Sequence, residues 1–135
     1  MTEQLRCTLS VDPDRRAVLR VRGEVDASTA EQFRDAALAA VRQTERVVFD
    51  LEGAMLLDAS GLRVLGTVLR EARRIGRPIP VLRGVRPLLA KSLKATGMFD
   101  SFVREPALPF SRVRASGVGH QAAVLHAVPG VAAGV

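Results

Sequence analysis

Residues 47–62 read Val47-Val48-Phe49-Asp50-Leu51-Glu52-Gly53-Ala54-Met55-Leu56-Leu57-Asp58-Ala59-Ser60-Gly61-Leu62, and the succession within this stretch decides the fold. The continuous β-prone run from Val47 to Phe49 marks a strand covered on both faces, the habit of parallel sheets. Glu52-Gly53 interrupts it as a loop. The short apolar run Met55-Leu56-Leu57 then leads to Asp58 and Ser60, two residue types that accept hydrogen bonds from the free N–H groups of a helix start. From about Ser60 to Ile75 a helix is predicted, with Leu62, Leu65, Leu69 and Ala72 as its core stripe. At about 100° per residue, Val64, Val68 and Ile75 widen that stripe to an arc of about 160°, and Arg63, Arg70, Arg74 and Arg77 stack on the opposite side.

Upstream, Leu5, Cys7, Leu9 and Val11 alternate with polar residues in the period of a half-buried strand. Asp12 to Arg16 reads as a turn and Ala17 to Gly23 as the returning strand, which makes an antiparallel hairpin. Ser28 and Glu31 form a capping box for a first helix that ends near Gln43, with Ala30, Phe33, Ala37 and Ala40 or Val41 on its inner face. Downstream, Ile79 to Leu82 is a short strand, and Pro80 within it favours an edge or a strand end. A third helix opens at Pro87 and closes at Gly97, after which Met98, Phe99 and Phe102 are expected to fold back onto the core. The order β-β-α-β-α-β-α predicts a single α/β domain, a mostly parallel mixed sheet with an initial antiparallel hairpin and helices packed on it. Residues 1–104 form this domain, whereas 105–135, rich in proline, glycine and alanine, read as a mostly flexible extension with a short helix around Gln121 to Val128.

Composition narrows the function. The 135 residues suit one domain, and 47% hydrophobic with 25% charged residues is ordinary globular usage. Cys7 is the only cysteine, which excludes an intramolecular disulfide and a cysteine-rich metal site; at an inward strand position it is a small buried apolar residue. No apolar stretch approaches the ~20 residues that cross a bilayer, and no apolar leader core follows Glu3 and Arg6, so no membrane insertion and a cytoplasmic location are expected. The net charge is +6, and all the basic residues except Lys91 and Lys94 are arginine. That balance admits an acidic partner. Without Trp or Tyr, and with five scattered Phe, the aromatic platforms for stacking bases are missing, and no specific nucleic-acid binding is expected. No glycine-rich phosphate loop is present, so no cofactor is expected. His120 and His126 both lie in the extension, six residues apart, and cannot share a helix face as a metal pair. Glu24, Asp26 and Asp58 could gather at strand ends, but nothing pairs them with a histidine base, and the chain does not read as an enzyme.

The remaining candidate is Ser60. A serine at a helix start lies beside unpaired backbone donors and a partial positive charge, where a phosphate can sit without disrupting its own domain. The string Asp58-Ala59-Ser60-Gly61-Leu62, preceded by Gly23-Glu24-Val25-Asp26 and Val47-Val48-Phe49-Asp50-Leu51 and followed by Leu93-Lys94-Ala95-Thr96-Gly97, resembles the STAS domain of anti-sigma factor antagonists over about residues 5–104. Four blocks in the same order and spacing carry the likeness.

The resemblance implies that Ser60 is the phosphoacceptor for a partner serine kinase that doubles as an anti-sigma factor, with a phosphatase reversing the modification. It further implies that Asp26, Asp58, Ala59, Gly61, Leu62 and Arg63 belong to the partner-binding surface. The chain departs from the family at Ala59, where a Ser or Thr is frequent, and in its basic charge. Two other roles follow from the same likeness: a small accessory subunit of a lipid-transport ATPase complex, and a nucleotide or small-ligand sensor, for which no motif is present.

Overall fold

The computed structural model describes residues 5–108 together with the backbone of residues 132–133. The strands are β1 (Arg6–Val11), β2 (Ala17–Val25), β3 (Val47–Asp50), β4 (Ala54–Leu57), β5 (Val81–Arg83), β6 (Val103–Glu105) and β7 (Ala132–Ala133). The helices are α1 (Ala30–Gln43), α2 (Ala59–Ile75) and α3 (Pro87–Ala95), with a 3₁₀ turn at Phe99–Ser101. The sheet runs in the order β6-β5-β3-β2-β1-β7, and β4 pairs with the far end of β2. Only β1 and β2 are antiparallel, from Arg6 opposite Arg22 to Val11 opposite Ala17; the other pairs are parallel. The α/β architecture expected from the sequence is therefore the one observed.

The inner rows of the sheet explain the stability of this arrangement. Leu19, Phe49 and Leu82 stand abreast on β2, β3 and β5, each fully buried. They meet Phe33, Ala36, Ala37 and Ala40 of α1 and Leu65, Val68 and Ala72 of α2 in one core, with the rings of Phe33 and Phe49 edge to face. Cys7 is in this core, and burial pushes its thiol pKa up to about 12.

Several local expectations change. The helix α1 is capped differently from the expected box: its N-cap is Thr29, and Ser28 turns back to Asp26. The strand β2 continues past Gly23 to Val25, with a register shift between Gly23 and Glu24, where Gly23 takes a φ of 101° that favours glycine. Met55 to Leu57 belong to a strand and not merely to an approach to the helix. Pro80 lies just before β5, which is an interior strand between β3 and β6.

The sheet also runs past the boundary drawn at residue 104. Glu105 ends β6 and ties together Arg16 and Arg83, while Arg83, 2% exposed, also reaches Asp12. Beyond it, Ala132 and Ala133 pair with Thr8 and Leu9 of β1. The helix expected over 121–128, with His120 and His126, lies outside the described residues.

Candidate functional site

Two loops leave the sheet side by side. Val25 and Leu57 are partners across β2 and β4, and the N–H of Asp58 donates to the Val25 carbonyl at 3.1 Å. The chain therefore brings Asp26 and Asp58 out of adjacent strands, which lie about 4.8 Å apart in any sheet. Neither carboxylate is spent on an ion pair among the described residues.

Asp26 organises the first loop. Its Oδ1 accepts the Ser28 hydroxyl at 2.7 Å, the Ser28 N–H at 2.9 Å and the Thr29 N–H at 3.2 Å. These donors favour the ionised form, with the Ser28 hydroxyl the strongest, and hold the Asp26 carboxyl below the usual carboxylate range. Thr29 completes the turn: its hydroxyl donates to the Glu24 carbonyl at 2.8 Å and accepts the Asp26 N–H at 3.0 Å. Nothing in the spacing of the sequence marked Thr29 as the pin of this loop.

In the second loop Asp58 is the N-cap of α2. Its Oδ1 accepts the N–H of Ser60 at 2.8 Å and of Gly61 at 3.4 Å. Asp58, not Ser60, thus satisfies the helix start. The Ser60 hydroxyl makes no side-chain hydrogen bond among the described residues, and the residue is partly exposed. Ala59 and Arg63 beside it are exposed and Leu62 is partly buried. Gly61 departs from the surface role expected of it, because it is buried. A Cβ there would lie 2.5 Å from Leu57 Cγ and 3.0 Å from Val25 Cγ1, so the glycine lets α2 seat on the strand ends and leaves Ser60 at the rim.

The sequence reading missed an apolar flank to this rim. On β4, Met55 is 63% and Leu56 42% exposed. β4 pairs with β2 alone, so a run of three apolar residues on it must turn part of itself to solvent, and that run was the available signal. It also missed Glu71, which is buried on α2 and binds Arg42 at 2.7 Å and Arg74 at 2.8 Å. The two guanidiniums hold its carboxyl at about pKa 2. Arg74 is therefore paired, unlike the rest of the arginine row. Among the described residues no group of His, Cys, Asp or Glu is placed to hold a metal ion, and no helix is long and apolar enough to cross a membrane.

The order β6-β5-β3-β2-β1-β7 with the antiparallel hairpin inside it, and a capped helix presenting Ser60 beside two acidic loops, define a STAS-type domain. Residues 10–105 match the family described as "Mlab, STAS domain", and the chain belongs to the STAS domain family. Its fold is similar to that of SpoIIAA, an anti-sigma factor antagonist, in the unphosphorylated form: 21% identity, TM-score 0.62, covering 83% of this chain and 97% of that one. The phosphorylated form, described as a Bacillus cell fate determinant, gives 20% identity, TM-score 0.60 and coverage of 81% and 97%. An anti-sigma factor antagonist from Mycobacterium paratuberculosis gives 21%, 0.65, and 86% and 98%. At these identities the likeness establishes the fold.

Proposed function

We propose that this protein is a cytoplasmic anti-sigma factor antagonist, a protein-binding module switched by phosphorylation of Ser60. One observation carries the reading: Asp58 takes the cap of α2 and leaves the Ser60 hydroxyl without a structural task at a partly exposed rim. Unmodified, the surface around Asp26, Asp58, Ala59, Leu62 and Arg63 docks an anti-sigma factor serine kinase and releases the sigma factor that it holds. A phosphate on Ser60 adds about −1.5 to −2 charge beside Asp58 and Asp26, so that like-charge repulsion and desolvation oppose docking. A coupling of about 1–3 kcal/mol changes occupancy by roughly 5- to 150-fold. The chain performs no catalysis in this scheme; the kinase and the phosphatase are other proteins.

The test is affinity for a purified anti-sigma kinase, with phosphate mapping of the peptide containing Ser60. Ser60→Ala should bind like the unmodified chain and resist phosphorylation, while Ser60→Asp should bind at least about fivefold more weakly. Equal affinities for the two variants would end the switch reading.

A second reading draws on the exposed Met55 and Leu56, an apolar flank suited to a constant partner. In it the same rim grips the ATPase of a lipid-transport complex, and Ser60 carries no phosphate. A transport ATPase that co-purifies with a chain unmodified at Ser60 would favour it.

A further inference from the structure

The helix α2 and its C-terminal cap carry a line of arginines of which one alone is matched by a carboxylate among the described residues. Arg63, Arg70 and Arg74 fall within about 40° around the axis, Gly66 borders them, and Arg77 follows just beyond the left-handed cap at Gly76. The helical part of the line, Arg63 to Arg74, is about 17 Å long and starts in the turn after Ser60. Arg63, Arg70 and Arg74 are exposed and Arg77 is partly so. Among the described residues only Arg74 meets a carboxylate, that of Glu71. Arg70 donates to the Thr67 hydroxyl and Arg77 to the Arg42 carbonyl, neither of which neutralises charge.

Gly66 points to the same face. A glycine inside a helix is destabilising relative to alanine because it leaves more backbone freedom to be lost. At Gly61 that cost has a reason in Leu57 and Val25. At Gly66 a Cβ would meet only Arg70 Nη1 at 3.6 Å and Met98 Sδ at 3.7 Å, ordinary contacts, so alanine fits. The domain itself does not require glycine there. The residue leaves a partly exposed notch at mid-height beside the cationic line, flanked by the Arg70 guanidinium and Met98, and a backbone without a side chain permits close approach there.

We infer that this face of α2 is a docking track for an acidic helix of the partner protein, with guanidiniums along its length and Gly66 as the point of closest approach. The track extends the docking role proposed above, and rests on it, by naming the partner's chemistry. Charge complementarity sets the sign of the partner and speeds its encounter. A helix suits a ridge of this length with a gap at mid-height, because helices pack by setting ridges into grooves.

The experiment titrates the isotope-labelled full-length chain with a stapled helix of about 18 residues carrying glutamates on one face and alanine between them, read by amide NMR. Shifts should map to residues 63–77. Binding should weaken about tenfold in Arg70→Glu and likewise as salt shortens the Debye length from about 10 Å to about 3 Å. Gly66→Ala should raise Tm by about 3 °C while weakening the peptide, a split that a purely structural glycine does not produce. Gly66→Leu should abolish binding. Shifts that map elsewhere, or affinities unchanged in Arg70→Glu and Gly66→Leu, overturn the track; so does duplex DNA that binds these amides more tightly than the peptide. The peptide titration involves no phosphate, so failure of the phosphate switch shows in the partner assay and failure of the track shows here.

Discussion

The carboxylate of Asp58 accepts the backbone N–H of Ser60 at 2.8 Å, and this contact separates the structural duty of the motif from its exposed hydroxyl. Asp58→Ala should lower stability by about 1 kcal/mol through loss of the cap, whereas Ser60→Ala should stay within about 0.5 kcal/mol of the parent. Urea titration of both variants checks the difference; a larger loss at Ser60 would mean that its hydroxyl is part of the cap.

Gly61 offers the steric counterpart. Its missing side chain is filled by Leu57 and Val25, so Gly61→Ala should cost about 1–3 kcal/mol by overpacking. Pairing it with Leu57→Ala should recover part of that loss, which a double-mutant cycle measures.

Glu71 predicts an acid response. Its folded pKa of about 2 lies below the ordinary value of 4.5, so its contribution is fully present above the unfolded pKa and is lost as pH falls toward the folded one. Between pH about 4.5 and about 2 the parent should lose stability more steeply than Glu71→Gln, whose curve lacks this proton uptake. Glu105, held low chiefly by Arg16, titrates in the same sense, and the variant at Glu71 isolates one contribution. Parallel curves would contradict the assignment.

Arg83 joins two acids that it can reach from the sheet interior, Glu105 at 2.9 Å and Asp12 at 3.6 Å. Removing it leaves Asp12, 5% exposed, with Arg16 alone. Arg83→Ala should cost about 1.5–3 kcal/mol, since both acids lose one of their two guanidinium partners and keep Arg16, as measured by chemical denaturation.

Cys7, 1% exposed and with its pKa raised to about 12, should not react with a thiol reagent in the folded protein at pH 8. Labelling should track unfolding across a denaturant series.

Much of this was legible in the chain. The buried run Val47–Phe49, the stripe of α2 and the helix bracketed by Pro87 and Gly97 each announce themselves, because burial on a regular backbone imposes a period on nearby residues. Short elements escape that logic. Val103-Arg104-Glu105 has three residues and two charges, too few to show a period, and becomes a strand because β5 offers it an open edge. Pairing likewise carried β2 beyond Gly23, although the glycine suggested an end. For the site, Asp58, Ser60 and the acidic loop at Asp26 stood out by type and order. Their division of labour did not, since either Asp58 or Ser60 could have capped the helix.

The sequence by itself determined the class of fold, the succession of the hairpin, β3, β5 and the three helices, and the serine at a helix start, because these follow from local periodicity and capping chemistry. Tertiary structure alone decided that Asp26 and Asp58 emerge together, that Gly61 is buried while Gly66 stands in a notch, and that Arg74 is neutralised while Arg63, Arg70 and Arg77 have no carboxylate partner among the described residues. Those outcomes depend on which side chains meet across strands and helices distant in the chain, and distance in sequence holds no record of contact in space.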